Sequence, residues 1–362
     1  MIGWTLARYF FMRFTVITAW FTLGIFMLIF IIDFTEFSSR ASALPSYSVV
    51  GAAAVSLMRM PFILQQLVPF IVLFSSMTTL IALNRKYELV VARSTGISAW
   101  QFLLPIGAGA FAFGLFALFV LNPLGAAGFE KSSLTEALWR SGRGNASQSA
   151  GIPWLRQRVG DEEIIIGAHS VLGGGADLRD VVFYKLAPDQ SIAERIDAER
   201  ALLKDGYWDV TNAVRRTGDG AVEKVELLKI GTNLKVENIG EKLSRPETLA
   251  WYDLSGKITA ARAFGYQVPA YRTQFHFLIA SPALLVAMTL IAATVSLRFV
   301  RFGQSGLMIL GGIVAGFLLY VVTVLVKAFG SVGFLPPAIA AWFPVVIATF
   351  YGVTYLLYKE DG

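Results

Sequence analysis

The sequence predicts a polytopic α-helical membrane protein with six transmembrane helices and one inserted all-β domain. Three observations predict it. Of its 362 residues 55% are hydrophobic and the mean hydropathy is +0.60, outside the range of soluble domains. Six predominantly apolar runs lie near 9–32, 60–83, 100–122, 274–297, 305–326 and 334–358, each close to the ~20 residues that cross a hydrocarbon core of about 30 Å. Between the third and fourth runs, residues 125–272 hold 20 Lys or Arg and 20 Asp or Glu, the composition of a solvated domain.

That balance places the whole net charge of +6 on the membrane part. Arg8, Arg13, Arg85, Lys86, Arg93, Arg298, Arg301 and Lys359 flank one side of the runs, whereas Arg40, Arg59 and Lys327 lie near the other. By the positive-inside rule both termini and the loop between spans two and three are cytoplasmic, and the central domain is outside. The basic pI of 9.4 then needs no nucleic acid to explain it. There is no cysteine, hence no disulfide and no thiol nucleophile. Ala41-Ser42-Ala43 looks like a signal-peptidase site, but the apolar run before it exceeds an ordinary h-region of about 7–15 residues, so it is read as the first span.

Taken in order, the first run ends at Ile32-Asp33-Phe34-Thr35-Glu36. Asp33 falls at or just inside the outer interface, either as a functional group or as a carboxylate reaching nearby water. The second run opens with Arg59 and Pro61 and contains Pro69, which predicts a kinked helix packed against neighbours. Asn84–Trp100 follows, with Arg85, Lys86, Glu88 and Arg93 crowded between two nearly uncharged stretches. A turn held in the membrane at both ends is suited to transmitting force. The third run ends at Asn122-Pro123, and its Gly107, Gly109 and Gly114 allow close helix contact.

From about 150 to 240 the period becomes two. Val181–Tyr184, Tyr207–Thr217 and Val222–Val236 are rich in β-branched and aromatic residues, with Asp205-Gly206 as a hairpin turn, and short strands so spaced predict a sandwich or barrel. Gly173-Gly174-Gly175 is a loop, because no helix and no Lys-Ser/Thr of a phosphate-binding loop follow it. Arg245-Pro246-Glu247-Thr248 opens a helical connector with Leu249, Tyr252 and Ile258 on one face. Only Phe329–Pro337 separates the last two spans.

The chain is poor in catalytic chemistry. His169 and His276 are its only histidines, one in the β region and one in a span, which argues against a metal site or a Ser-His-Asp triad. No Ser precedes a Lys by three positions, and neither G-x-S-x-G nor a nucleotide-binding G-x-x-x-x-G-K-[ST] occurs. The sequence therefore predicts no enzyme and no cofactor. Asp33 and Lys327, both on the outer side, either pair, line a cavity for an amphipathic solute, or snorkel separately.

The Arg8-Tyr9 pair before a span, the Asp33–Arg40 segment, Glu88-Leu89-Val90-Val91 with Ser94-Thr95-Gly96, the β domain after span three and Leu335-Pro336-Pro337 before span six resemble, in order and over the full length, the LptF/LptG permease family of the bacterial lipopolysaccharide exporter, on its LptG side. The resemblance implies a Gram-negative inner-membrane subunit with a periplasmic β-jellyroll. Its implied partners are an LptF-like permease, an LptB-like ATPase dimer and an LptC-like membrane-anchored jellyroll protein, with lipopolysaccharide as cargo. The implied organisation is spans one to three in 1–124 with a coupling helix at about 84–98, the jellyroll and its connecting helices in 125–272, and spans four to six in 273–362. Arg85, Glu88, Leu89, Arg93, Thr95 and Gly96 match the segment that docks the ATPase, with Glu88 as a main contact. Spans one and five line the lipid cavity in this family, which makes Asp33, Glu36, Arg40, Arg59, Tyr320 and Lys327 candidates there. One departure stands out: Asp33 lies where the LptG pattern has lysine near the outer end of span one. It cannot hold a lipid A phosphate, and Arg40, Arg59 and Lys327 are the possible substitutes. Other readings are an LptF-type subunit, a membrane-anchored sensor or scaffold, for which six spans are too many, and an ion-coupled transporter, for which buried acids are too few.

Overall fold

The computed structural model of the chain describes residues 3–42, 47–141, 154–159, 162–172, 177–187, 191–204, 206–217, 222–232, 246–263, 268–297 and 306–360. Gly173–Gly175, Asp205, residues 233–236, Arg245, Arg298 and Arg301, all used in the sequence reading, lie outside them.

Helices α1 (Trp4–Ala41) and α2 (Val49–Arg85) are antiparallel and joined to a short α3 (Glu88–Ser94). Next, α4 (Ala99–Phe116) runs through a π-helical turn (Ala117–Leu121) straight into α5 (Asn122–Ser141). After the β domain come a 3₁₀ turn (Pro246–Thr248), α6 (Asp253–Ala263), α7 (Val268–Ser296), α8 (Gly306–Val332) and α9 (Pro337–Glu360). Six of these helices are long and apolar enough to cross a membrane, with α4 and α5 counting as one.

Hydropathy alone misplaced the helix ends. At ~1.5 Å per residue the 38 residues of α1 measure about 57 Å, far more than a bilayer core, and α2 begins ten residues before Arg59. The third span does not stop at Asn122-Pro123. A proline clashes with the carbonyl four residues back, and the wider π turn just before it absorbs the misfit. The connector also differs from expectation, because α6 starts only at Asp253. Leu249 and Ile258 pack inward as expected, whereas Tyr252 is 54% exposed.

The bundle is organised around α2 and α7, which meet each other and most other spans. Glycines set the closest approaches. A Cβ on Gly128 would sit 2.0 Å from the Met58 carbonyl oxygen, one on Gly114 2.5 Å from Pro282 Cα, and one on Gly109 2.6 Å from the Phe14 ring; Gly107 makes only an ordinary contact with Val286. The outer spans differ: 67% of the most apolar window of α7 is buried, against 22% for α8 and 6% for α1. Helix α1 is most deeply buried toward its ends, at Phe10, Phe14 and Thr18 on one side and Phe37 and Ala41 on the other, with Phe21, Ile25, Phe26 and Ile29 half-covered between them.

The β domain is a six-stranded antiparallel meander, β1 (Trp154–Val159), β2 (Glu162–Leu172), β3 (Asp177–Leu186), β4 (Ile192–Lys204), β5 (Tyr207–Thr217) and β6 (Val222–Gly231), paired in sequence order. Gly206, with φ +83, makes the turn between β4 and β5. The sheet is creased. On β4 the buried residues are Glu194, Ile196 and Ala198, then Ala201 and Leu203, so the inward alternation slips by one. Arg179-Asp180, Glu199-Arg200 and Thr211-Asn212 all face outward at the slip and lie side by side in the register, with φ of 47 at Asp180 and 53 at Asn212.

The crease folds the sheet on its apolar face. Phe183 pairs with Ile196 and Trp208 with Leu203, positions about 23 Å apart along a flat strand, yet their ring centroids are 6.3 Å apart. The first and last strands also meet: Thr232 Oγ1 donates to Gln157 Oε1 at 2.6 Å, and Gln157 Nε2 donates to the Gly231 carbonyl at 3.3 Å. The strands therefore enclose one core of Ile, Val, Ala, Phe183 and Trp208, as a sandwich or barrel requires.

Candidate functional site

Two regions carry the sequence-predicted residues, one at each end of the bundle. At the end bearing the chain's N-terminus, α2 stops at Arg85 and the chain turns through Tyr87, whose φ of 60 is unusual for a residue with a side chain. Glu88 then opens α3, where a first-turn carboxylate faces free N–H groups. Only two residues of α3 enter the core, Leu89 and Ala92. The turn ends at Gly96, with φ +84, its N–H donating to the Arg93 carbonyl at 2.9 Å.

This geometry divides the predicted docking residues. Arg85, Thr95 and Gly96 are exposed, next to the uncovered apolar side chains of Tyr87 (66%) and Val91 (61%). Leu89 is the internal anchor. Arg93 is half-buried with its guanidinium 5.7 Å from the Phe102 ring centroid, and Thr95 Oγ1 bonds back to the Ala92 carbonyl at 2.8 Å. Glu88 does not stand alone. Tyr9 Oη donates to Glu88 Oε2 at 2.9 Å, Arg13 Nη1 donates to Tyr9 Oη at 2.6 Å, and the same Nη1 lies 3.7 Å from Glu88 Oε1. Tyr9 and Arg13 are one turn apart on α1, so they share a face, but nothing local in the sequence says that this face meets α3.

At the other end the structure does not pair Asp33 with Lys327. Lys327 Nζ lies 3.9 Å from Glu247 in the 3₁₀ turn and 5.9 Å from the Phe277 ring centroid. Asp33 is half-buried, and its Oδ2 is buried without a hydrogen-bond partner among the described residues. Glu36 and Arg40 form an exposed i,i+4 pair at 3.4 Å, an arrangement worth only a few tenths of a kcal/mol. Arg59 is largely buried, its side chain 14% exposed. Its guanidinium pairs with Glu136, donates from Nε to Ser132 Oγ at 3.3 Å, and lies 4.6 Å from the Phe37 ring centroid.

Sequence reading missed Glu136 and Glu247 as partners, and it missed Asn122. That residue is 2% exposed at the end of the π turn. Its Oδ1 accepts from the Trp251 N–H at 2.8 Å, and its Nδ2 reaches Gln65 Oε1 at 3.4 Å and the Leu249 carbonyl at 3.5 Å. It ties the segment returning from the β domain to α2 and the third span. The available signal was an Asn in an apolar run, which needs partners somewhere.

Between the two ends, α1 and α8 flank α2. Phe21 of α1 stacks on Phe74 of α2 at 6.5 Å, and Tyr320 of α8 packs on Phe70 of α2 at 4.8 Å. On α1, Leu23, Met27 and Ile31 remain uncovered, as do Val314, Phe317 and Val321 on α8. Helices α1 and α8 thus each leave a row of apolar side chains uncovered while packing an aromatic ring on α2. Across known proteins, the family described as "Lipopolysaccharide export system permease LptF/LptG" matches residues 8–359. No curated protein matches the chain.

Proposed function

The chain belongs to the LptF/LptG family of lipopolysaccharide export permeases, and on that premise we propose that it is the LptG-type half of an ATP-driven exporter. As a member it is a multi-pass inner-membrane permease subunit, and it is not itself the catalyst. An LptB-like ATPase dimer supplies the hydrolysis, docked on the exposed edge of α3 formed by Arg85, Glu88, Thr95 and Gly96 around Tyr87 and Val91. An LptF-like permease faces α1 and α8, and an LptC-like jellyroll protein continues the route. The termini and α3 are cytoplasmic and the β domain is periplasmic, in keeping with Arg8, Arg13, Arg85, Lys86 and Arg93 at one end.

The observation that carries this reading is the pair of uncovered apolar faces on α1 and α8, whose shared neighbour α2 makes them the walls of a trough. An amphipathic lipid needs a long apolar wall open to the bilayer, and α1 and α8 leave their middle turns uncovered on either side of the Phe70 and Phe74 floor. Closing α1 toward α8 removes room for acyl chains, so a nucleotide-driven change in their separation gives two states of different cargo affinity, which transport requires. The cargo then rises to the folded β domain, whose enclosed apolar face suits a jellyroll conduit. Among the described residues Arg40, whose pair with Glu36 is exposed and weak, is the cation we assign to meet an anionic headgroup; Arg59 pairs with Glu136 in a mostly buried site and Lys327 sits beside Glu247.

The test is photo-crosslinking. With a photoreactive residue in place of Phe74 or Tyr320 in the native membrane, lipopolysaccharide adducts are expected at both sites and none at Tyr358, which is 79% exposed at the far end of α9. Adducts with ordinary phospholipid alone would overturn the transport reading.

A further inference from the structure

From the Glu88 contacts we infer that Tyr9 and Arg13 are positioning residues which join the docking helix α3 directly to α1, so that a pull on Glu88 reaches the wall of the trough without passing through α2. The inference rests on the ATPase-docking reading above. It goes beyond that reading by naming the route of the force and the residues that carry it.

Three facts lead there. First, the Glu88 carboxylate is held from α1 through one oxygen only: Oε2 takes the Tyr9 hydroxyl at 2.9 Å, whereas Oε1 has Arg13 at 3.7 Å, outside hydrogen-bond distance. A carboxylate carries about four acceptor positions, so a cationic side chain of a docked partner adds to this contact without displacing it. Second, the hold is itself braced. Arg13 Nη1 donates to Tyr9 Oη at 2.6 Å and its guanidinium carbon lies 5.8 Å from the Tyr9 ring centroid; the Tyr9 hydroxyl thus receives one bond and gives one, which fixes its direction. Third, α1 is built as a bar held most firmly near its ends. Phe10 and Phe14, which directly follow Tyr9 and Arg13 in sequence, are 1% exposed, with Phe10 edge-on to Phe102 and Phe14 filling the space beside Gly109 of α4. Of the next twenty residues only Thr18 is fully buried, while Phe21, Ile25, Phe26 and Ile29 rest half-covered on the core. A bar held in this way and only half-covered along its middle shifts there when one end is pulled, whereas α2, buried along its length, is held in place.

The experiment uses the whole complex purified through a tag on this chain and reconstituted in liposomes with lipopolysaccharide. Three quantities are read: ATPase chain recovered, ATP hydrolysed, and lipopolysaccharide moved per ATP. Tyr9→Phe removes the hydroxyl and keeps the ring; Arg13→Gln removes the brace, and Arg13→Lys partly restores it. For Tyr9→Phe and Arg13→Gln the inference expects ATPase recovery within twofold of wild type and lipid moved per ATP lower by about tenfold, the scale of one hydrogen bond to a charged group, with Arg13→Lys in between. Tyr9→Phe combined with Glu88→Gln should lose less than the product of the two single losses, because both break one contact. Unchanged lipid per ATP in Tyr9→Phe and Arg13→Gln, with Glu88→Lys still losing the ATPase, overturns the inference and leaves the docking reading standing. Glu88→Lys with full ATPase recovery overturns the docking reading itself.

Discussion

The Arg59 cluster separates a structural cation from a lipid-binding one. Arg59 sits three turns into α2 with its side chain 14% exposed, and its partner Glu136 on α5 is 21% exposed. Replacing Arg59 with Met keeps the aliphatic bulk over Phe37 but removes the guanidinium that pairs with Glu136. Breaking one half of a buried pair costs about 3–5 kcal/mol, and the partial exposure here argues for the lower end, near 3 kcal/mol. The lost contact with Phe37 adds about 1 kcal/mol. At roughly 2 °C per kcal/mol for a large chain, Arg59→Met should lower the thermal midpoint of the detergent-purified protein by about 6–8 °C. Glu136→Met should do the same. The double Met variant should recover most of the loss, because two apolar groups of similar volume replace the pair without an orphaned charge. Lipopolysaccharide binding of that double variant should then equal wild type. A double variant that is stable but no longer binds the lipid would refute the structural assignment and restore Arg59 as a phosphate contact.

Three further outcomes follow from the packing. Gly128→Ala places a Cβ 2.0 Å from the Met58 carbonyl oxygen, a backbone clash that no rotamer relieves, so α5 must separate from α2; the measurement is protease cleavage after Lys131, which should become fast. Asn122→Ala strips the Trp251 N–H and the Gln65 side chain of a partner at a cost of about 1–3 kcal/mol, and hydrogen exchange should rise across 249–263 while the β strands stay protected. The Arg200 guanidinium bonded to Asp177 at 2.8 Å on both oxygens holds that carboxyl below the usual carboxylate range. A depressed folded value means that the stabilisation is complete above the unfolded value of about pH 4 and fades as pH falls through the folded value. Thermal midpoints of wild type and Asp177→Asn should therefore differ above pH 5 and converge as the acid limit is approached.

How much of the molecule is legible in the sequence depends on which force sets each feature. The six spans and the alternating β region were readable because hydropathy and period are local properties. So were Gly109 and Gly114 as contact points, and the turn at Gly206. The candidate sites were legible only as a roster. Glu88, Leu89 and Gly96 fall into distinct roles once α3 is seen edge-on, and Asp33 and Lys327 turn out to face different neighbours.

By itself the sequence determined that this is a six-span membrane protein with a balanced, solvated β insertion and no nucleotide motif, because transfer into lipid and strand alternation act residue by residue. Only the tertiary structure decided the rest. That Tyr9 meets Glu88 across 79 positions, that Arg59 is claimed by Glu136, that Asn122 gathers the returning chain and that the sheet folds along Asp180, Glu199 and Asn212 are all long-range pairings. A buried polar group must find a partner somewhere, but which one it finds is fixed by how helices pack.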